Sequence, residues 1–504
     1  MPSLLDLEYI KHFQTLPNEL YSEVMPQPLH KPKFVASSEN CAQLLGLSPQ
    51  TLQDDQSLKL LSGHGILNIW QPIAMKYTGH QFGQYNPQLG DGRGLLLAQV
   101  SRENKIWDLH LKGAGSTPYS RQGDGRAVLR SSIREFLCSE AMAGLNIPTS
   151  RALCVIDSET QVYRETVETG AMVMRITQSH IRFGHFEYCS FSNQPELLKT
   201  LTDFVINQHY PELCEKENKY ALFYKASVNK TAKLMAHWQS TGFCHGVMNT
   251  DNMSILGETF DYGPFAFLDD YNPNFICNHS DHQGRYAFKQ QPEIAHWNLS
   301  VLAQALLPLI DKEELIKSLD EFSNIFETDY YTLMLQKFGL LQLGTVQKNF
   351  IDSSLTMLET CKLDYTYFFR ALSSLHVSHV HTEIRNLSLD IKAFDKWYIQ
   401  YQAILLSDGQ TKNSDVQIAR SQRMNLVNPK YILRNYLAQN AIQMAQDGNY
   451  QEVQKLHDIL KHPFDEQPEH QKFSKLPPDW GKKLEISCSS WNLKWLTFMT
   501  FSFK

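Results

Sequence analysis

Several protein classes are excluded by what this sequence of 504 residues lacks. No run of five like charges occurs, so no charged tail is expected. No apolar stretch reaches the roughly 18 residues of a membrane span, so no membrane partner is expected. Nine cysteines are scattered singly, at 41, 138, 154, 189, 214, 244, 277, 361 and 488, and none forms a Cys-x-x-Cys pair. That argues against a zinc ribbon or a thioredoxin-like motif. The first residues are neither basic nor Arg-rich, with Asp6 and Glu8 near the start. A secretory or transit leader is therefore not expected, and the odd cysteine count reads as a reducing, cytoplasmic setting. No Gly-Lys-Ser/Thr, His-Glu-x-x-His or Gly-x-Ser-x-Gly string is present. These absences remove the Walker loop, the helical zinc hydrolase and the hydrolase elbow. Lys plus Arg is 47 against 53 Asp plus Glu, a net charge of −6. No basic footprint for nucleic acid follows from that balance.

The length suggests two or three lobes or domains. Apolar runs predict strands at Leu95–Val100, Ile106–Lys112, Ala152–Ile156, Val162–Glu165 and Ala171–Ile176, with one helix over Ala127–Met142. The second half changes character. Helical spacing covers Leu197–His209, Phe223–Gln239 and Ile294–Ile310 and recurs beyond residue 312. A polar loop, His245–Asn252, precedes two predicted short strands, Met253–Leu256 and Phe265–Leu268. Strands first, helices later, with a polar loop between helix and hairpin, predict an α+β, protein-kinase-like bilobal fold.

The candidate chemistry begins at Leu89-Gly90-Asp91-Gly92-Arg93-Gly94. Gly90 and Gly92 can bring backbone N–H groups to phosphate oxygens, and Arg93 adds a fork of donors. A plain hairpin turn is the alternative. Lys112 ends a predicted strand, and Glu135 lies on the following helix. A strand lysine paired with a helix glutamate orients ATP in kinases; a solvated Lys and an ordinary surface pair are the alternatives. Asp124 and Gly125 sit in a second glycine turn, read either as an anion site at the start of that helix or as a turn with Asp124 as N-cap. Arg175 and Arg182 flank a strand end and can reach phosphates, or lie on the surface.

The most specific local string is His245-Gly246-Val247-Met248-Asn249-Thr250-Asp251-Asn252, followed by Phe260-Asp261-Tyr262-Gly263. Asn252 and Asp261 can supply oxygen ligands to a magnesium-bound triphosphate. Asp251 is then free to deprotonate an attacking hydroxyl. Val247 stands where a kinase usually has its catalytic Asp, which disfavours γ-phosphoryl transfer. An Asx-rich turn is the alternative. His180, His185, His279 and His282 do not form a metal-ligand pattern.

These strings, with Tyr77-Thr78-Gly79-His80-Gln81-Phe82-Gly83, Leu111–Arg126 and Ser487-Cys488-Ser489-Ser490, resemble the selenoprotein O family of pseudokinase-fold proteins, from about Phe34 to Ser490. The resemblance implies transfer of AMP from ATP to Ser, Thr or Tyr hydroxyls of proteins, with pyrophosphate released and the nucleotide flipped relative to kinases. It implies that Gly90, Gly92, Arg93, Lys112, Asp124, Gly125, Arg175, Arg182 and Asp261 hold the nucleotide. It also implies a Lys112–Glu135 pair, Mg2+ or Mn2+ on Asn252 and Asp261, and Asp251 as proton acceptor. Residues 1–185 would be the nucleotide-binding lobe with an N-terminal extension, 186–490 the helical lobe, and 491–504 an atypical tail. The family's C-terminal selenocysteine or cysteine falls on Cys488, which is implied to pair with Cys277 as a redox switch. A metal-dependent kinase and an inactive nucleotide-binding scaffold are the other readings.

Overall fold

In the computed structural model, residues 2–374, 382–409 and 413–484 are described. The chain is a mixed helix-and-sheet protein built on one large antiparallel sheet. Its strands are β1 (Tyr9–Ile10), β2 (Tyr21–Glu23), β3 (Lys33–Ser37), β4 (Ile73–Met75), β7 (Gly94–Arg102), β8 (Lys105–Lys112), β9 (Ala127–Val128), β10 (Arg151–Asp157), β11 (Gln161–Tyr163) and β12 (Val167–Thr177). The main path runs β2-β4-β7-β8-β12-β10-β3. A separate hairpin joins β5 (Gly79–Gln81) to β6 (Gln84–Asn86), and β13 (Phe243–Cys244) pairs with β14 (Ala266–Phe267).

The central strands read as unbroken apolar runs because both sheet faces are covered. Along β12, Ala171 and Val173 join the core that contains Ile133, Phe136 and Leu137 of the helix Leu129–Gly144. The alternate residues Met172, Met174 and Ile176 join a second core with Leu45, Leu52 and Leu61 from the N-terminal helices. Period-two alternation thus assigns each side chain to one of two cores. Register places Lys112, the last residue of β8, opposite Gly94 and Val173.

Predicted strands at 95–100, 106–112, 152–156 and 171–176 fall inside β7, β8, β10 and β12. The predicted helices correspond to Leu129–Gly144, Pro195–His209, Lys219–Thr241 and Gln291–Leu306. One expectation fails. Met253–Leu256 is not a strand: Ser254 makes a single bridge to Arg182, and Gly257 turns the chain at φ +69°. The Phe265 segment pairs instead with β13, upstream of the polar loop. The apolar run at 253–256 is buried loop, and burial without a partner strand is what periodicity cannot distinguish. Late in the chain, the helix Gln451–Leu460 returns against Leu129–Gly144. There buried Glu140 accepts from Arg151 (2.8 and 2.6 Å) and Ser38 (2.5 Å).

A third core, among the helices beyond residue 330, contains a buried cation. Lys337 is 5% exposed, and its Nζ lies 4.4 Å from the Phe369 ring centroid. No carboxylate pairs with it among the described residues, and burial pushes its pKa down to about 7. Between the unfolded value near 10.4 and about 7, the unfolded chain holds a proton that the folded chain does not, so stability falls as pH falls through that window. Lys337→Met keeps the aliphatic stem and removes the charge. Its expected gain is nil above about pH 10.5 and reaches about 2–4 kcal/mol at pH 7. Denaturant unfolding of both proteins at pH 7 and pH 9 checks this: the gain should shrink at pH 9, and a pH-independent gain would contradict it.

Candidate active site

Strand β8, strand β12, the helix Leu129–Gly144 and the loop after β13 converge on one buried network of charges. Lys112 from the end of β8 donates to Glu135 of the helix. The other Glu135 oxygen accepts from Arg175 Nε of β12. Arg175 Nη2 lies 2.6 Å from Asp261 Oδ1, and Arg182 Nη1 lies 2.5 Å from Asp261 Oδ2. Arg182 Nη1 also donates to the backbone carbonyl of Asp251 at 2.7 Å. Three cations and two carboxylates therefore form one chain of contacts that ends on the loop carrying Asp251.

The electrostatics follow from that order. Burial raises the Glu135 carboxyl, but Arg175 and Lys112 outweigh it and hold it at about 2. Burial likewise opposes ionisation of Asp261, and Arg175, Arg182 and Lys112 together keep it well below the ordinary carboxylate range. Lys112 is pushed down to about 8 by burial, which Glu135 offsets only in part. Asp251 differs: burial pushes it up to about 7 against the pull of Arg182. Its Oδ1 is buried with no hydrogen-bond partner. Two carboxylates ten residues apart thus have opposite characters, one ion-paired and anionic, the other desolvated and basic.

Packing fixes both. The Arg182 guanidinium lies between the Tyr77 and Phe260 rings, 4.6 and 4.7 Å from their centroids. Asp261 adopts φ +59°, a left-handed conformation that Asp tolerates better than most residues. Asn252 Nδ2 donates to the Val247 carbonyl at 3.1 Å, which leaves its Oδ1 as an acceptor. Among the described residues no group of three or more His, Cys, Asp or Glu side chains could hold a metal ion. The oxygen donors on this loop and the segment after it are the Asn252 amide and the carboxylates of Asp251 and Asp261. A hard divalent cation suits that set only if phosphate oxygens and water complete its coordination, and on donor chemistry the residues fit such an ion.

The glycine loops lie at the sheet end of the network. The Gly90–Gly94 segment leads into β7, and Arg93 accepts the Gly113 N–H through its carbonyl at 2.6 Å. Gly90 and Gly92 pack on Tyr119, and no carboxylate pairs with Arg93 among the described residues. Gly125 sits at φ +68°, where a Cβ would stand 2.0 Å from the Gly115 carbonyl oxygen. Asp124 is not the N-cap of the following helix. The helix starts at Leu129 with Val128 as N-cap, and β9 separates it from the turn. Asp124 instead accepts the Arg126 N–H at 2.9 Å and pairs with Arg164 at 2.7 and 2.9 Å. The turn is held by side-chain charge rather than by the helix end.

Cys277 lies 3.5 Å, sulfur to sulfur, from buried Cys244. Cys488 lies outside the described residues, as does the tail 491–504, so the implied pairing has no geometry here. Asp91 and the hairpin β5–β6 were missed as site residues. Asp91, between the two loop glycines, accepts from the Met75 N–H (3.1 Å) and lies 3.2 Å from His110 Nε2. It ties the glycine loop to β4 and β8. The hairpin packs on the polar loop: the His80 N–H donates to Thr250 Oγ1 (2.7 Å) and the Phe82 N–H to Asn249 Oδ1 (3.2 Å). A short polar hairpin has no apolar alternation, and in the sequence it was marked only by the string Tyr77–Gly83 that carries the resemblance.

A family model described as "Protein adenylyltransferase SelO" matches residues 3–461. The chain is 50% identical over 491 residues to the "Protein nucleotidyltransferase YdiU" of Pseudomonas putida (strain GB-1), covering 97% of this chain and 100% of that protein. It is 51% identical over 486 residues to the protein of the same name from Vibrio parahaemolyticus, covering 96% and 99%. A third, from Pseudomonas aeruginosa (strain LESB58), is 49% identical over 491 residues, covering 97% and 100%. The chain belongs to the SelO family of protein adenylyltransferases.

Proposed function

We propose that this nucleotidyltransferase moves AMP from ATP to Ser, Thr or Tyr hydroxyls of proteins and releases pyrophosphate. The observation that carries the reading is the combination, on one loop system, of an ion-paired Asp261 with a desolvated Asp251 whose Oδ1 has no hydrogen-bond partner. The Lys112–Glu135 pair and the loop with Asn252 and Asp261 parallel the parts of a kinase site, and a kinase-like, two-lobed arrangement, 1–185 and 186–490, is part of the proposal. Val247 in place of a kinase's catalytic Asp favours chemistry at a different phosphate.

The chain's own residues supply positioning and charge. Arg93, Lys112, Arg175 and Arg182, with the backbone N–H groups around Gly90, Gly92 and Gly125, neutralise and orient the phosphates. Asp124 contributes by holding its turn. Asp251 takes the proton of the acceptor hydroxyl. The hydroxyl oxygen bonds to the α-phosphorus while the bond from that phosphorus to the α–β bridging oxygen breaks, and pyrophosphate leaves with the electron pair. Asn252 and Asp261 would hold Mg2+ or Mn2+, which when bound supplies charge neutralisation at the phosphates.

Product analysis tests the reading. With ATP, a divalent cation and protein acceptors, the small-molecule product is expected to be pyrophosphate in proportion to modified protein. Stoichiometric ADP would make the protein a kinase instead. Cys277 and Cys488 as a redox pair remain part of the proposal. Peptide mapping after oxidation would find them linked, and finding both free would reject it.

A further inference from the structure

The hairpin β5–β6 lies against Asp251, and its amide side chains form an ordered relay whose direction can be read from one end. The backbone N–H of Gln88 can only donate, and it donates to Asn86 Oδ1 at 3.0 Å. That fixes the Asn86 amide, so its Nδ2 is the end that donates to Gln81 Oε1 at 3.2 Å. Gln81 is fixed in turn, and its Nε2 faces Asp251 Oδ2 at 3.5 Å. The other oxygen, Oδ1, is buried and lies 3.0 Å from where a Cβ on Gly79 would be. Oδ1 is thus closed off by β5, while Oδ2 sits in a partly buried contact beside Gln81.

We propose that Gln81, oriented by Asn86, is a positioning residue that holds the Asp251 carboxylate so that Oδ2 meets the acceptor hydroxyl. This rests on Asp251 being the base of the proposed reaction. The side-chain hydrogen bonds of Gln81 and Asn86 among the described residues run to one another, Asp251 and Gln88, and none reaches a proposed nucleotide-binding group. Loss of the relay should therefore slow the chemical step and leave ATP affinity alone. A long contact to a carboxylate that guides geometry is expected to matter about tenfold in rate.

The test uses the full chain, ATP labelled at the α-phosphate, Mn2+ or Mg2+, and a fixed mixture of soluble proteins as acceptor. Labelling rate is measured against ATP concentration. Gln81→Leu, which keeps bulk and loses the donor, should lower the maximal rate about tenfold with an unchanged KM for ATP. Asn86→Ala should have a smaller effect, roughly threefold, because the Gln81 amide becomes free to turn either way. Asn86→Asp is the decisive variant. Its carboxylate cannot donate, so it recruits the Gln81 NH2 group and turns Gln81 Oε1 toward Asp251. Its rate should fall to that of Gln81→Leu, below Asn86→Ala. It adds no bulk at a half-exposed site, so it stays informative even if Gln81→Leu melts early.

A wild-type maximal rate in Gln81→Leu, a loss confined to the KM for ATP, or an Asn86→Asp variant no slower than Asn86→Ala would overturn the proposal. Asp251→Ala is run beside them. If it is inactive while the Gln81 and Asn86 variants are normal, the relay alone is rejected. If Asp251→Ala keeps its rate, the assignment of the base falls, and the relay falls with it.

Discussion

Replacing Asp261 is expected to reduce metal-dependent nucleotide transfer by at least about a thousandfold, because one carboxylate serves three neighbours. It balances Arg175 and Arg182, and in the proposed reaction it is also an anionic metal ligand. Asp261→Asn is the cleaner variant. Asn keeps the shape and tolerates φ +59° as Asp does, whereas Ala adds about 1 kcal/mol of backbone strain. Both lose the charge. Arg175 retains Glu135 in either case, so the sheet end of the network should persist. The expected pattern is near-wild-type folding of Asp261→Asn by circular dichroism, nucleotide still bound without metal, and transfer lost at every Mg2+ or Mn2+ concentration. Wild-type transfer with an unchanged metal dependence would mean that Asp261 is not a metal ligand.

Gly79→Ala should lower the maximal transfer rate by about a hundredfold without unfolding the protein. A Cβ at residue 79 would stand 3.0 Å from both Cβ and Oδ1 of Asp251 and 3.1 Å from its backbone nitrogen. The strand cannot retreat freely. Its neighbour Thr78 presses its carbonyl oxygen to 2.1 Å from where a Cβ on Gly184 would be, and the Thr78 N–H donates to the Gly184 carbonyl at 3.1 Å. The added methyl must therefore move Asp251 by a few tenths of an ångström, and a proton acceptor is sensitive to displacements of that size. Steady-state kinetics with ATP varied should show the loss in kcat. A normal kcat would mean that Asp251 is not placed by β5.

Much of this was legible in the sequence, for physical reasons that differ by element. Strands β7, β8, β10 and β12 are buried on both faces, so their apolar runs stand out. The helix Leu129–Gly144 has a face that must pack on the sheet, and its periodicity shows it. Lys112 and Glu135 were expected as a pair and Arg175, Arg182 and Asp261 separately, and the fold brings all five into one network. What did not come through is long-range closure. Nothing local says that Ser254 meets Arg182 across one bridge, or that Phe265 pairs back to β13 instead of forward to 253–256. The N-cap reading of Asp124 failed because its partner, Arg164, is forty residues away. The hairpin at 79–86 is short, polar and glycine-bearing, and it derives its order from contacts with the polar loop His245–Asn252 rather than from its own propensity.

The central claim is that the α-phosphate of ATP, not the γ-phosphate, is carried to protein. The most direct measurement incubates the purified chain with ATP labelled at one position or the other, with Mg2+ or Mn2+ and soluble proteins, and counts covalent label on protein. Label from the α-position alone, absent in Asp251→Ala and Asp261→Asn, is the predicted result. Label from the γ-position would contradict it and make the Asp251–Asp261 loop a phosphoryl-transfer site.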